Sequence, residues 1–304
     1  MRKMMKKCLI ILLMIFMYGC QPKEEVRILV PQGSPAMTIL GLDQHTYAVD
    51  IVNGPDPLVA AFSSGSHDAI IAPTNLGLKL FQSKDLYPCA AIVVWGNYHL
   101  VSSRFDIFDM DDLKNQEIIV FGQNQTSDII LKHVLESYEI TANITYVDSV
   151  ANASALYVNN PNQIVMVAEP SLSKLKVLVP ETKHIDLQII YQSLHQDQSY
   201  PQAALFVHRD LSIDKIKKLL DDLETSINEV NEEKEDLIMY GVSLNIVDQK
   251  DILKNAISSS HLYLTLVEDA KNEIDIYLDI ILRMNPALIG GSIPDETFYW
   301  SDAV

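Results

Sequence analysis

Residues 68–81, Asp-Ala-Ile-Ile-Ala-Pro-Thr-Asn-Leu-Gly-Leu-Lys-Leu-Phe, contain the pattern that decides the fold. A short apolar strand ends at Ala72, a polar turn follows at Pro73-Thr74-Asn75, and a predicted helix completes the segment. The chain repeats this order of strand, turn and helix from Arg27 onward and again from Glu117 onward. Short apolar strands that alternate with helices are typical of parallel α/β sheets flanked by helices.

Two stretches of the chain follow this plan, and we therefore predict two lobes with a hinge between them. Two further apolar strands, 90–94 and 205–207, flank the second stretch and are interpreted as crossings between the lobes. Lobe one is then built from residues 26–96 and 204–304, and lobe two from residues 97–203. The alternative is one doubly wound sheet, but the chain length favours two modest domains. The strands predicted inside the two stretches are 27–30, 47–52, 68–72, 117–121, 144–147 and 164–168.

The C-terminal part of the chain is predicted to be helical. Residues 213–231 show a 3.6-residue apolar period, and shorter helices are expected over 236–240 and 248–258. A single long amphipathic helix is predicted over 262–284, because Asn285-Pro286 provides a stop signal directly after it.

The N-terminus has the build of a secretory signal. A basic start is followed by the apolar run 8–17, which is shorter than the about 20 residues that a bilayer span needs. Met17-Tyr18-Gly19-Cys20 resembles the lipobox of bacterial lipoproteins, in which the cysteine is lipidated. We predict a signal peptide over 1–19, a lipidated Cys20, a tether over 20–25 and a lipid anchor on the extracytoplasmic face of the cell membrane. The alternative is a plain signal peptide that ends by chance in cysteine.

The charge of the chain excludes one class of partner. The formal net charge is −17, and residues 1–19 contain basic but no acidic residues, so their removal makes it more negative. Such a surface repels nucleic acids and anionic lipids. Cys89 is the one cysteine left in the folded part, so it has no internal disulfide partner and is expected to be a buried apolar residue.

Four polar turns follow predicted strands, at the edge where ligands bind in open parallel sheets. Two turns come from each predicted lobe, so a shared cleft would face both pairs. The alternative for each turn is that its residues only cap helices, and for the crossing residues, including Trp95, Tyr98 and Tyr200, that they pack the hinge. The candidate ligand-binding residues are Gly33, Ser34, Pro35, Pro73, Thr74, Asn75, Asn97, Gln123, Asn124, Gln125, Thr126 and Glu169.

The residue types in these turns indicate the chemistry of the ligand. The turns contain no Lys or Arg, which anion sites often use, and their one charged residue is Glu169. We therefore expect an uncharged or weakly basic polar compound, although helix N-termini alone can hold an anion. The alternative for Glu169 is a structural carboxylate near the lobe junction. Enzyme motifs are missing, and the eight histidines lack metal-ligand spacing, so no catalytic residues, metal or cofactor are expected.

Several segments together resemble the solute-binding lipoproteins of ABC importers, and most closely the group that binds nitrate, sulfonates, taurine and thiamine precursors. The resemblance implies a type II periplasmic-binding fold, hinge closure around a solute, and delivery to a membrane permease and its ATPase by a monomer. Alternatives on the same fold are a pyrimidine-precursor synthase, a menaquinone-pathway dehydratase and a ligand sensor. The segments that carry the resemblance, besides the lipobox-like start, are 31–36, 68–76, 112–120, 167–170 and 285–299.

Overall fold

The computed structural model describes residues 25–104, 107 and 109–302. The predicted signal peptide and Cys20 lie outside the described residues. In the described part, two β-sheets are each covered by helices, and none of these helices is long and apolar enough to cross a membrane. We call each sheet with its helices a lobe, and the lobe that begins at Val26 is the first.

The first lobe contains a six-stranded sheet in the order β11-β4-β10-β3-β1-β2. β1 pairs in parallel with β2 and β3, whereas β10 pairs antiparallel with both β3 and β4. Four of the six strands, β1 to β4, therefore run in the same direction. The strands are β1 (Val26–Pro31), β2 (Tyr47–Val52), β3 (Ala69–Pro73), β4 (Cys89–Trp95), β10 (Pro201–Val207) and β11 (Leu262–Leu266).

The second lobe contains a five-stranded sheet in the order β7-β6-β8-β5-β9. β6 pairs in parallel with β7 and β8, and β5 is antiparallel to its neighbours β8 and β9. Four of its five strands thus share one direction, and the sheets are parallel-rich as predicted. The strands are β5 (Tyr98–Ser102), β6 (Glu117–Phe121), β7 (Asn143–Val147), β8 (Ile164–Ala168) and β9 (Lys183–Asp186).

Helices connect the strands, and several begin at a side-chain cap. The side chains of Ser149, Asp186 and Ser212 accept hydrogen bonds from backbone N–H groups of the first turns that follow them. The helices are α1 (Ser34–Met37), α2 (Pro55–Ser64), α3 (Thr74–Lys84), α4 (Thr126–Ser137), α5 (Val150–Asn159), α6 (Ser171–Leu178), α7 (Leu187–Leu194), α8 (Ile213–Asn231), α9 (Glu235–Ser243), α10 (Lys250–Ser259) and α11 (Lys271–Met284).

The predicted single helix over 262–284 is wrong. Its first five residues form β11, which pairs antiparallel with β4 at the edge of the first sheet, with Leu262 opposite Val94. Leucines at every second position of Leu-Tyr-Leu-Thr-Leu suit a strand, and the free edge of β4 supplies the partner that the local sequence does not reveal. The helix begins only at Lys271.

A pair of histidines connects α4 and α7 beneath α11. His133 is 8% exposed, its Nε2 lies 2.8 Å from Nε2 of His195, and Arg283 of α11 donates to its Nδ1 over 3.3 Å. Since arginine can only donate, Nδ1 of His133 is unprotonated and its Nε2–H donates to His195. Burial, aided by the nearby His195 and Arg283, lowers the pKa of His133 from 6.5 to about 4.

We predict that this pair makes the fold acid-sensitive. The unfolded chain binds a proton at His133 below about pH 6.5, whereas the folded chain does so only near pH 4, so stability falls as the pH drops through this window. Urea unfolding at pH 7.0 and 4.5 should show that His133→Gln removes about 2 kcal/mol of this acid-induced loss. The control His45→Gln changes an exposed histidine and should retain the full loss. Equal losses in both variants would contradict the prediction.

Candidate functional site

The candidate site lies where the two lobes meet. The chain passes between the sheets at residues 95–98 and again at residues 199–201, and the register places Pro201 opposite Trp95. The two crossings therefore run side by side. The carboxyl ends of β1, β3, β6 and β8 adjoin them, as expected for a ligand site on sheets of this type.

Aromatic side chains pack tightly around the crossings. Trp95 stacks on Tyr263 with ring centroids 5.2 Å apart, and Tyr98 stacks on Tyr200 at 6.0 Å. Between them, a Cβ at Gly96 would lie only 2.2 Å from Cζ of Tyr200, so no larger residue fits without movement. The contacts of these three aromatic rings, Trp95, Tyr98 and Tyr200, agree with the hinge-packing interpretation.

Ser34, at the start of α1, is the centre of a buried hydrogen-bond chain. Its hydroxyl accepts from Nδ2 of Asn97 at 2.9 Å and lies 2.9 Å from the hydroxyl of Ser260. It also lies 3.4 Å from the backbone oxygen of Glu169 in the second lobe. Ser260 itself donates to the backbone oxygen of Ala256 at 2.6 Å. One turn of the first lobe is thereby joined to a crossing and to the second lobe.

Glu169 is a buried carboxylate with partners in both lobes. One oxygen accepts from the hydroxyl of Ser173 at 2.9 Å and from the hydroxyl of Ser259, and the other accepts from the backbone N–H of Ser173 at 3.2 Å. Ser173 belongs to α6 of the second lobe and Ser259 to α10 of the first. Burial raises the pKa of Glu169, although these hydrogen bonds act in the opposite direction.

A second cluster of polar side chains forms around Tyr98, on the other side of the crossings. The hydroxyl of Tyr98 lies 3.2 Å from the hydroxyl of Thr126 at the start of α4. The side-chain amide of Gln202 also hydrogen-bonds to Tyr98, and Thr126 interacts with Tyr277 of α11. Burial raises the pKa of Tyr98, so its hydroxyl stays protonated.

Buried side-chain atoms without a hydrogen-bond partner are concentrated at this junction. Such groups are rare in folded proteins, because each costs about 1–3 kcal/mol. All six residues that carry one, in the part of the chain that the structure describes, lie on or next to the crossings or at the start of α3. The atoms are Oγ1 of Thr74, Oδ1 of Asn97, both ring nitrogens of His99, Oε1 of Gln188, the hydroxyl of Tyr191 and Oε1 of Gln202.

The rim of the junction contains a groove of about 340 Å³. Pro170 and Lys174 line it from the second lobe, and residues 245–248 line it from the first. An ion pair of 3.1 Å between Lys174 and Asp248 crosses the groove, and both side chains are more than half exposed. Because it is exposed, this pair contributes little to stability and can open readily.

The structure brings some of the predicted site residues together and leaves others at the rim. Ser34, Asn97 and Glu169 form one network, Thr126 meets the crossing at Tyr98, and Thr74 and Asn75 are buried. A Cβ at Gly33 would lie 4.0 Å from Pro170, so Gly33 faces the second lobe, and Pro35 and Pro73 are half-buried. Gln123, Asn124 and Gln125 are exposed, and Asn124 accepts a hydrogen bond from Asn285 of the first lobe at 2.9 Å.

Sequence reasoning missed Gln188, Gln202, Ser259 and Ser260. Gln202 could have been found, since it follows Tyr200 in a predicted crossing. The two serines end α10, remote in sequence from every polar turn, and only the packing of that helix brings them to the site. No cluster of three His, Cys, Asp or Glu residues among the described ones is arranged to hold a metal ion.

Comparison with known proteins shows the fold. No protein-family model matches the sequence, and no curated protein matches it. Among solved structures, an ABC transporter from Parabacteroides distasonis matches with a TM-score of 0.81 and 19% identity, over 91% of this chain and 99% of that chain. The periplasmic aliphatic sulphonate binding protein SsuA from Escherichia coli matches with a TM-score of 0.68 and 14% identity, over 91% of this chain and 92% of that chain. The alkanesulfonate-binding protein SsuA from Xanthomonas axonopodis pv. citri, bound to MOPS, matches with a TM-score of 0.61 and 13% identity, over 88% of this chain and 94% of that chain. The chain thus has the two-lobed fold of these proteins.

We predict that the contact between Ser259 and Glu169 stabilises the junction. Ser259→Ala removes one donor from a buried carboxylate and should lower the free energy of unfolding by about 1–2 kcal/mol. The neighbouring Ser258 is exposed and donates only within its own helix, so Ser258→Ala should stay within about 0.5 kcal/mol of wild type. Urea titration of both variants measures their free energies of unfolding. Equal losses in the two variants would contradict the prediction that the contact between Ser259 and Glu169 stabilises the junction.

Proposed function

We propose that the protein is a solute-binding protein that captures a small polar organic molecule between its lobes and delivers it to an ABC-type permease with its ATPase. The observation that carries the proposal is the concentration of unpartnered buried polar atoms at the junction of a two-lobed fold. A bound molecule enclosed there would supply the missing hydrogen bonds.

The similar solved structures support this proposal, because SsuA from Escherichia coli is a periplasmic sulphonate-binding protein with the same fold. The polar residues at the junction are mostly hydrogen-bonding amides and hydroxyls, joined by the carboxylate of Glu169 and the ring of His99. The carboxylate is held by serine donors from both lobes, an arrangement that suits binding better than catalysis. The proposed role is therefore capture and release of a solute, without a reaction and without a cofactor.

The proposed binding site contains the twelve residues that the sequence indicates. Ser34, Thr74, Asn97, Thr126 and Glu169 would form its interior, since they lie in or beside the buried networks. The more exposed turn at 123–125 would approach the solute only from the rim. The remaining members are Gly33, Pro35, Pro73 and Asn75.

The moving units in this proposal are residues 26–96 with 204–304, and residues 97–203. Rotation about a few crossing residues opens and closes such lobes. The exposed pair of Lys174 and Asp248 and the hydrogen bond from Asn285 to Asn124 would break on opening. The mature protein would act as a monomer, held by Cys20 on the extracytoplasmic face of the cell membrane.

Binding of the solute should compact and stabilise the protein. Small-angle scattering of the protein with its co-purified solute, and after removal of the solute by unfolding and refolding, should show the smaller radius with solute present. The melting temperature should rise with added solute, because a ligand at 100 times its Kd stabilises by about 2.7 kcal/mol. Identical radii and melting temperatures at saturation would contradict the proposal.

The proposed anchor is tested by removing the cysteine that would carry it. Cys20→Ala should move most of the mature protein from the membrane fraction to the soluble fraction, since no other anchor is proposed. Cys89→Ala is the matched control, because this buried thiol has no role in anchoring and its loss should leave the protein on the membrane. A Cys20→Ala protein that stays as firmly on the membrane as wild type would refute the anchor.

A further inference from the structure

We propose that His261 and Asp186 form a proton-dependent latch between the lobes, which holds them together while the pair carries a proton and releases them when the proton leaves. The latch rests on the lobe motion of the proposed function and makes that motion depend on pH. His261 follows α10 in the first lobe, and Asp186 ends β9 of the second lobe.

His261 is fixed against the first crossing by its side chain and its backbone. Its Nδ1 lies 2.6 Å from the backbone oxygen of Gly96, and its own backbone oxygen accepts from the N–H of Trp95 at 3.1 Å. A carbonyl oxygen can only accept, so Nδ1 of His261 carries a hydrogen. The backbone of His261 is left-handed, with a φ of 49°, a conformation that costs energy for most residues other than glycine. The remaining ring nitrogen, Nε2, is the one that faces the second lobe.

The contact between the two side chains is attractive only when it contains a proton. Nε2 of His261 lies 3.6 Å from Oδ2 of Asp186, and the side chains are 26% and 12% exposed. Because Nδ1 holds the hydrogen of a neutral ring, Nε2 of that ring is an acceptor, and it would face a carboxylate oxygen that is also an acceptor. A proton on either partner converts this repulsion into a charge-assisted attraction. The contact therefore joins the lobes in its protonated form.

Two further histidines of the second lobe lie beside this contact, and both are neutral near pH 7. Nδ1 of His99 in β5 lies 3.9 Å from Oδ2 of Asp186. Burial, aided by His184, His261 and Lys176, lowers the pKa of His99 well below 6.5. Burial, aided by Lys176, also lowers the pKa of His184 in β9. Neither ring therefore supplies the positive charge that Asp186 needs, and His261 is left as its partner.

The pH dependence of the latch has a definite sign. Burial raises the pKa of Asp186, and the nearby His261 and Lys176 oppose this increase without reversing it. The joined pair thus holds its proton more firmly than the separated pair, so the joined lobes are favoured at low pH and lose this advantage as the pH rises. Lys176 of α6 belongs to the same lobe as Asp186 and stays beside it when the lobes part. Tyr200 of the second crossing stays protonated, because burial raises its pKa well above 10.

The latch is tested by measuring the distance between the lobes in the solute-free protein from about pH 5 to 8, where histidines titrate. Spin labels on cysteines that replace Lys174 and Asp248, which pair across the groove, report whether the lobes are joined or open. Cys89 is buried and will not take a label. The ratio of joined to open molecules should fall about tenfold over this range, as expected when an interaction with a charged group is lost. His133 does not interfere, since its pKa is about 4.

Two substitutions remove the shared proton and keep the local structure. Asp186→Asn retains an acceptor for the cap of α7, and His261→Asn retains a residue that tolerates a left-handed backbone. Each should reduce the pH-dependent change to about twofold or less, and the double variant should go no further, because the pair acts as a unit. His67→Asn is the matched control. It removes a histidine that lies 3.1 Å from Asp50 within the first lobe, and it should keep the full tenfold change.

The outcomes separate the latch from the proposed function. A wild-type ratio that does not change with pH, or a tenfold change that persists in His261→Asn, overturns the latch and leaves the lobe motion intact. Glu169 is unchanged in every variant, so a pH dependence caused by that carboxylate would also persist and overturn the latch. A single distance at every pH in all variants overturns the latch and contradicts the proposed function as well. If one variant does not fold, the wild-type titration and the other variant decide the question.

Discussion

The buried carboxylate of Glu169 takes hydrogen bonds from both lobes, and the rest of the junction is arranged around it. A buried carboxylate costs several kcal/mol unless hydrogen-bond donors surround it. In the arrangement in which the lobes meet, Ser173 and Ser259 supply those donors to Glu169. Helices α6 and α10 then pack against each other across the junction. That packing brings Ser260 to Ser34 and sets the orientation of Asn97 on the crossing.

The junction combines two kinds of buried polar group with opposite energetic roles. The serines around Glu169 are fully paired and hold the lobes in one arrangement. The amide oxygens of Asn97, Gln188 and Gln202 are unpaired, and this lack of partners destabilises that same arrangement. In the proposed function, a solute that supplies the missing hydrogen bonds would stabilise this arrangement, which is the energetic requirement for closure on binding.

The fold is retained at 19% identity to a solved structure with a TM-score of 0.81. Buried strands need only apolar residues of suitable shape, so many sequences satisfy the two sheets. In the proposed function, the side chains that would distinguish one solute from another lie at the strand ends and crossings, where no such uniform requirement applies. Likeness of fold therefore says little about the solute, and the chemistry of Asn97, Gln202 and Glu169 has to be considered on its own.

The local sequence determined the alternation of strands and helices and the positions of the polar turns, because apolar period and turn residues act over a few positions. The segments 90–94 and 205–207, interpreted as crossings, lie inside β4 and β10 of the first sheet, and the chain passes between the sheets directly beside them, at 95–98 and 199–201. The local sequence also made Asn97 and Glu169 candidates, because they lie directly at a crossing and in a polar turn. Tertiary structure alone decided that residues 262–266 form a strand, since an edge of the first sheet lay open to them. It alone brought Ser259 and Ser260 to Glu169 and Ser34, more than 80 residues away in sequence. The orientation of an amide, and the lack of a partner for its oxygen, depend on every neighbour in space, and no local pattern encodes them.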